Sequence, residues 1–116
     1  MHDFILLEGT KTPFKIDFSS LKKMQYYKKI SISDEFIVKN YKYFSEPYAD
    51  FSAFWITMDN PRNGLCYYGV SIIVLSEDCN FIHTLKKIEK SDEKKELIEL
   101  CNIALLNNLN IVHFGI

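Results

Sequence analysis

The sequence predicts an α+β fold, a single domain over residues 1–116 with a mainly antiparallel sheet, helices packed on it and a C-terminal strand. Three observations predict it. Residues 51–75 read as a central hairpin: they hold the only tryptophan, the longest apolar run and the best turn signal of the chain. Residues 91–105 carry apolar side chains at helical spacing behind a serine cap. Residues 111–116 are apolar on both faces, as a strand returning beside the hairpin would be.

Taken in order, residues 4–7 form a short apolar run suited to a strand, ended by Glu8-Gly9-Thr10 and by Pro13, which removes a backbone donor. Ser19 or Ser20 caps an expected basic helix running to Ile30, with Leu21 and Met24 on one face. Residues 33–44 fit two patterns. Ser33-Asp34-Glu35 is a fair helix start, but the β-branched and aromatic content and the alternation of Ile37, Lys39, Tyr41 and Tyr43 tip the reading to a strand. Glu46-Pro47 ends the element either way.

In the first arm of the hairpin Phe51, Ala53 and Trp55 point one way, and Phe54, Ile56 and Met58 the other. In the second arm Val70, Ile72 and Val74 oppose Ile73 and Leu75. Both faces are apolar, which suits central strands covered on two sides. Asn63-Gly64 supplies the positive φ of a tight turn, and Gly69 marks a bulge or a close approach. Ser76 or Asp78 caps a helix whose stripe is Phe81, Ile82, Leu85 and Ile88. Ser91 caps the clearest helix, with Asp92 and Glu93 in its positive first turn and Leu97, Leu100, Cys101, Ala104 and Leu105 on its buried face.

The totals exclude several classes. A chain of 116 residues buries roughly two-thirds of its unfolded surface, enough for a core without metal or disulfide staples. Lys+Arg 14 against Asp+Glu 15 leaves a net charge of -1, which removes the long-range attraction typical of nucleic-acid binders. An odd count of three widely spaced cysteines points to reduced thiols. The first eight residues lack a basic start, and no apolar run approaches the about 20 residues that cross a bilayer, so a cytoplasmic protein without membrane contact is expected.

Chemistry-bearing residues are sparse. Cys79 and His83 share a helix face, and Cys101 and His113 would complete four zinc ligands, but the spacing matches no compact finger and Cys101 falls on an apolar stripe. Cys66, His113 and Asp59 have the residue types of a cysteine nucleophile with base and orienter, yet Cys66 is expected in a core strand rather than at a position that lowers its pKa. No catalytic residue, metal or cofactor is therefore expected. Lysines alternate with aromatics at residues 22–29 and 39–44, a pattern that fits single-stranded nucleic acid or lysine stems snorkelling past tyrosines. At the hairpin tip Asp59, Arg62 and Asn63 present polar groups on a rigid scaffold, with Tyr67 and Tyr68 behind. Arg62 suits a partner carboxylate or phosphate, and tyrosines are favoured at interfaces.

The run Asp59-Asn-Pro-Arg-Asn-Gly-Leu-Cys-Tyr-Tyr-Gly-Val70, followed by the two-helix segment and the closing Ile111-Val-His-Phe-Gly-Ile116, resembles small bacterial immunity proteins, the inhibitors of polymorphic and contact-dependent growth inhibition toxins. The likeness is one of size, layout and Ile/Lys/Asn/Tyr-rich style. It implies a role without an active site: a scaffold whose surface complements one cognate toxin domain, often a basic nuclease. Acidic residues that would steer such a partner are Asp34, Glu35, Glu46, Asp50, Glu77 and Asp78. The other readings are a small nucleic-acid-binding protein and a small enzyme using Cys66 or His113.

Overall fold

The last strand in the chain is the central one of the sheet. In the computed structural model, which describes residues 1–7, 26–45, 48–55, 61–73 and 80–115, β6 (Asn110–Phe114) lies between β1 (His2–Leu7) and β5 (Val70–Ile73). Beyond β1 runs β2 (Tyr26–Ile32); beyond β5 run β3 (Ser52–Trp55) and then β4 (Pro61–Asn63). The order is β2-β1-β6-β5-β3-β4, and every pairing among the described residues is antiparallel. With helices packed against this six-stranded sheet the fold is α+β.

Both faces of the sheet carry buried apolar side chains, as the two-sided hydrophobicity of its strands requires. On one face Phe4, Leu6, Ile32, Ala53, Ile73 and Ile111 join residues from the helices in a single core. On the other Val70, Ile72 and Val112 are buried, with Ile5, Phe54 and Phe114 packed against them. Burying one such side chain contributes about 1.5–3 kcal/mol, so both clusters matter to stability.

Among the described residues, two helices lie between β2 and β3 and two between β5 and β6. Residues 33–44 are helical, not extended: α1 (Asp34–Lys39) and α2 (Tyr41–Phe44) meet at Asn40. Ser33 caps α1, its hydroxyl accepting from the Phe36 N–H at 3.2 Å, and Asp34 and Glu35 stand in the positive first turn. Local capping and the burial of Phe36, Ile37 and Phe44 outweigh the β propensity of the segment. Residues 26–30, expected to end a helix, are instead strand β2, held by the antiparallel register of Phe4 opposite Ile30 and His2 opposite Ile32. The rest of that expected helix, residues 19–25, lies outside the described residues, as do the expected cap positions 76 and 78.

After β5 come α3 (Asn80–Lys87) and α4 (Asp92–Asn107). In the α3 segment Phe81, Leu85 and Ile88 are buried, and Phe51 meets Phe81 edge-on with ring centroids 4.8 Å apart. The Ser91 hydroxyl accepts from the Lys94 N–H at 3.2 Å, and Leu97, Leu100, Cys101 and Ala104 are buried beneath α4. Asn108 ends α4 at φ 53°, the left-handed position that Asn tolerates, and turns the chain into β6.

The central hairpin takes a modified form. β3 and β5 are antiparallel neighbours, with Phe54 opposite Ile72, but the chain between them first adds β4 to the far side of β3. Gly64 has the expected positive φ, 85°, yet it turns the chain away from β4 rather than closing a two-residue hairpin. Cys66 lies in the loop that follows, not in a strand. Among the described residues no helix is long and apolar enough to cross a membrane.

Candidate interaction surface

The bend at Asn40 divides the α1–α2 segment into an inward and an outward side. The Asn40 side-chain amide donates to the Phe36 carbonyl at 3.0 Å and is buried. Phe36, Ile37 and Phe44 face the core, which leaves Val38 at 56% exposure and Tyr41 at 48% on the outside. Tyr48, 62% exposed, meets Tyr41 edge-on. Opposite stands the β3–β4 pair. Trp55 packs partly against the core and donates its indole N–H to the Gly64 carbonyl at 3.0 Å. The Arg62 guanidinium sits 4.9 Å from the centroid of the Trp55 ring, a cation–π contact.

The loop after β4 closes the third side. Gly64 donates to the Phe51 carbonyl at 2.8 Å, and Leu65 donates to the Phe44 carbonyl at 2.7 Å, tying the loop to the end of α2. A Cβ at Gly64 would collide with the Phe44 carbonyl oxygen, so glycine is required by space as well as by φ. Cys66 N–H donates to the Ser71 hydroxyl at 2.7 Å, and Gly115 N–H to the Gly69 carbonyl at 2.7 Å. These bonds set Tyr67 and Tyr68 edge to face, centroids 4.8 Å apart, with Tyr68 79% exposed. The result is an open groove of ≈ 690 Å³ lined by Val38, Tyr41, Ser45, Trp55, Arg62, Leu65, Cys66, Tyr67 and Tyr68.

Beneath Tyr67 lies a buried polar cluster. The edge of Tyr67 meets the His2 ring at 4.7 Å, and His2 Nδ1 is 2.7 Å from His113 Nε2, both rings fully buried. Asp34 Oδ1 stands 3.6 Å from His2 Nε2 and 2.9 Å from the Met1 amino group. Burial holds both imidazoles below their ordinary pKa, His113 at about 3; for His2 the Asp34 carboxylate pulls the other way. Burial also pushes the Tyr67 phenol up, with Asp34 adding to it, and pushes the Cys66 thiol up. A thiol pushed up and a histidine held below its ordinary pKa do not favour a thiolate–imidazolium pair between Cys66 and His113.

No family profile, curated protein or solved structure matches this chain. The site is therefore read from its geometry. Of the contact residues expected from sequence, Arg62, Tyr67 and Tyr68 come together in the groove, and Asp34 approaches it from below through His2. Asn63 is exposed on β4, opposite Ser52. Glu35 belongs to a separate cleft with Lys39, Glu89 and Lys90, and exposed Asp50 pairs with Lys87 at 3.3 Å. Glu46, Asp59, Glu77 and Asp78 lie outside the described residues, as does Cys79 of the zinc set. Among the described residues no three His, Cys, Asp or Glu side chains are grouped to hold a metal.

Val38, Tyr41 and Trp55 were not expected here. On one regular helix Tyr41 would share the buried face of Ile37, four residues before it; the break at Asn40 leaves it exposed beside Val38, so helical period alone would not have flagged it. Trp55 reads as core by composition, yet it lines the groove, with Arg62 of the neighbouring β4 against its ring.

Proposed function

We propose that this chain is a protein-binding module that neutralises a cognate bacterial toxin by occluding its active site or substrate surface, with the groove around Trp55 as its contact face. The observation that carries the reading is the clustering of Tyr41, Trp55, Arg62 and Tyr68 in one open groove. Tyrosine, tryptophan and arginine dominate the energetics of protein interfaces, and monomer surfaces seldom gather them without use. The backbone hydrogen bonds of Gly64 and Leu65 tie the groove's loop to α2 and β3, so little ordering is needed when a partner docks. The resemblance in size and layout to immunity proteins supplies the biological role.

The test is co-expression with the toxin domain encoded immediately upstream. Protection and a purified complex are expected, with both lost in the Trp55→Ala, Tyr68→Ala double variant, which removes the aromatic floor and rim of the groove. Absence of both protection and complex for the unaltered chain would reject this function.

A further inference from the structure

The loop of residues 64–69 rests on the histidine pair at two points. Tyr67, which lines the groove, meets the His2 ring edge-on with centroids 4.7 Å apart. Ser71 stands opposite His113 in the β5–β6 register, and its hydroxyl accepts from the Cys66 N–H at 2.7 Å. The loop also fits tightly against the end of β6, where a Cβ at Gly115 would collide with the Tyr67 carbonyl oxygen. The pair has one vacant nitrogen for a further proton. One N–H lies between His2 Nδ1 and His113 Nε2, and the other faces Asp34 from His2 Nε2. The vacancy is His113 Nδ1, buried and without a hydrogen-bond partner among the described residues. A proton gained at either ring reaches it, because the shared proton can cross the 2.7 Å bond. The result is an unmet buried N–H and a positive charge in the interior. Of the charges facing the pair, Asp34 favours a proton on His2 but is shared with the Met1 amino group at 2.9 Å. Asp3, next along β1, is held from β2 by the Ser31 hydroxyl at 2.6 Å and by Lys29 at 3.7 Å. Uncharged residues stand opposite both rings in the sheet: Ile32 of β2 for His2, and Phe4 of β1 and Ser71 of β5 for His113.

We propose that the His2–His113 pair is a proton-operated latch beneath the groove: in mild acid it takes up a proton, the loop of residues 64–69 lifts, and Tyr67 leaves its seat on His2. Water then reaches the imidazoles and solvates the added charge, which is the gain that drives the opening. The groove loses the wall made by Tyr67 and Tyr68, so a partner seated there is released; this consequence rests on the groove being the binding face. The opened form binds more protons than the closed one. Opening is therefore independent of pH above the ordinary imidazole range and rises about tenfold per pH unit below it.

Amide hydrogen exchange of the free protein at a series of pH values between 7 and 5.5 tests it, with rates corrected for chemical exchange. The reporters are the N–H groups of Leu65 and Cys66, which bond the Phe44 carbonyl and the Ser71 hydroxyl. Their protection should fall about tenfold over this range while staying well below that of Leu100 in α4, the mark of a local opening rather than whole-molecule unfolding. A carboxylate ordinarily titrates near pH 4, so the range reports imidazoles. The third histidine of the chain, His83, is exposed on α3 and serves as control. His113→Gln and His2→Gln should each abolish the fall, and His83→Gln should leave it. Loop protection that ignores pH, or that matches Leu100 in size and slope, overturns the latch, and so does a fall that survives in a folded His113 or His2 variant or vanishes with His83→Gln. Should both pair variants fail to fold, the comparison of Leu65 and Cys66 with Leu100 in the unaltered chain decides alone. No partner enters this experiment, so its failure strikes the latch and leaves the proposed function standing, whereas a missing toxin complex strikes only the function.

Discussion

His2 Nδ1 and His113 Nε2 stand 2.7 Å apart, and the tautomers that face an N–H of His2 toward Asp34 make His113 Nε2 the donor. With the proton on His113 Nε2, the remaining His2 proton sits on Nε2 and points toward the Asp34 carboxylate. The opposite tautomers would turn a lone pair of His2 toward that carboxylate and bury an N–H of His113 without an acceptor among the described residues. The pair thus works only when at least one imidazole is neutral. Two charged rings at this distance would have no hydrogen bond and strong repulsion.

Acid should therefore unfold this protein earlier than its carboxylates alone would. The sign follows from burial: both histidines have folded pKa values below the unfolded value of 6.5, so the unfolded chain binds more protons below that pH. Their contribution is complete above pH 6.5 and is lost as pH falls toward the folded value, about 3 for His113. His113 alone then costs about 1.4 kcal/mol per pH unit, or about 2 kcal/mol by pH 5. Urea unfolding at a series of pH values measures this directly. His113→Gln should flatten the slope between pH 6.5 and 5, and an unchanged slope would reject the coupling.

Gly64→Ala should be among the most damaging single-methyl changes in the molecule. It places a Cβ at φ 85° and against the Phe44 carbonyl oxygen, which is also the acceptor for Leu65 N–H. The left-handed backbone alone costs about 1–2 kcal/mol for a residue with a Cβ, and the collision adds to that. The expected result in denaturant unfolding is a loss of about 2 kcal/mol or more, with a change in Trp55 emission because its indole N–H bonds the Gly64 carbonyl. A loss under half of that value would show that the loop yields freely.

Ser33→Ala and Ser91→Ala remove equivalent caps, each a hydroxyl accepting a backbone N–H at 3.2 Å. Each should cost about 1 kcal/mol. Their consequences should differ in place. Ser91→Ala loosens the first turn of α4, while Ser33→Ala loosens α1, which carries Asp34 and Val38. Amide hydrogen exchange should show faster exchange near residues 36–41 only in the Ser33 variant.

What the sequence disclosed depended on whether local and long-range signals agreed. For α4 the Ser91 cap, the acidic first turn and the stripe from Leu97 to Ala104 all point to one answer, and the structure has it. The alternation of Ala53, Phe54, Val70, Ile72 and Ile73 between two faces was legible for the same reason. Residues 33–44 carried conflicting signals, and the cap together with burial of Phe36 and Ile37 decided for helix where β-branched content suggested strand. At residues 26–32 the lysines and tyrosines have no decisive period, and pairing with β1 across a long stretch of chain imposes the strand. The groove was half legible. Arg62, Tyr67 and Tyr68 stand out as residue types, but their meeting with Val38 and Tyr41 depends on a loop anchored to the Phe44 carbonyl, a contact no periodicity encodes.

A ribosome makes β6 after the other five strands, and β6 is the strand that joins them. Until it emerges, the nascent chain can hold at most two separate half-sheets, β2 with β1 and β5 with β3 and β4. Each exposes an open edge where Ile111 will later sit between Leu6 and Ile73. Bare edges of this kind are sites of wrong pairing. The order of synthesis therefore runs against the order of assembly, and the facing edges of β1 and β5 stay unpaired until β6 has been made.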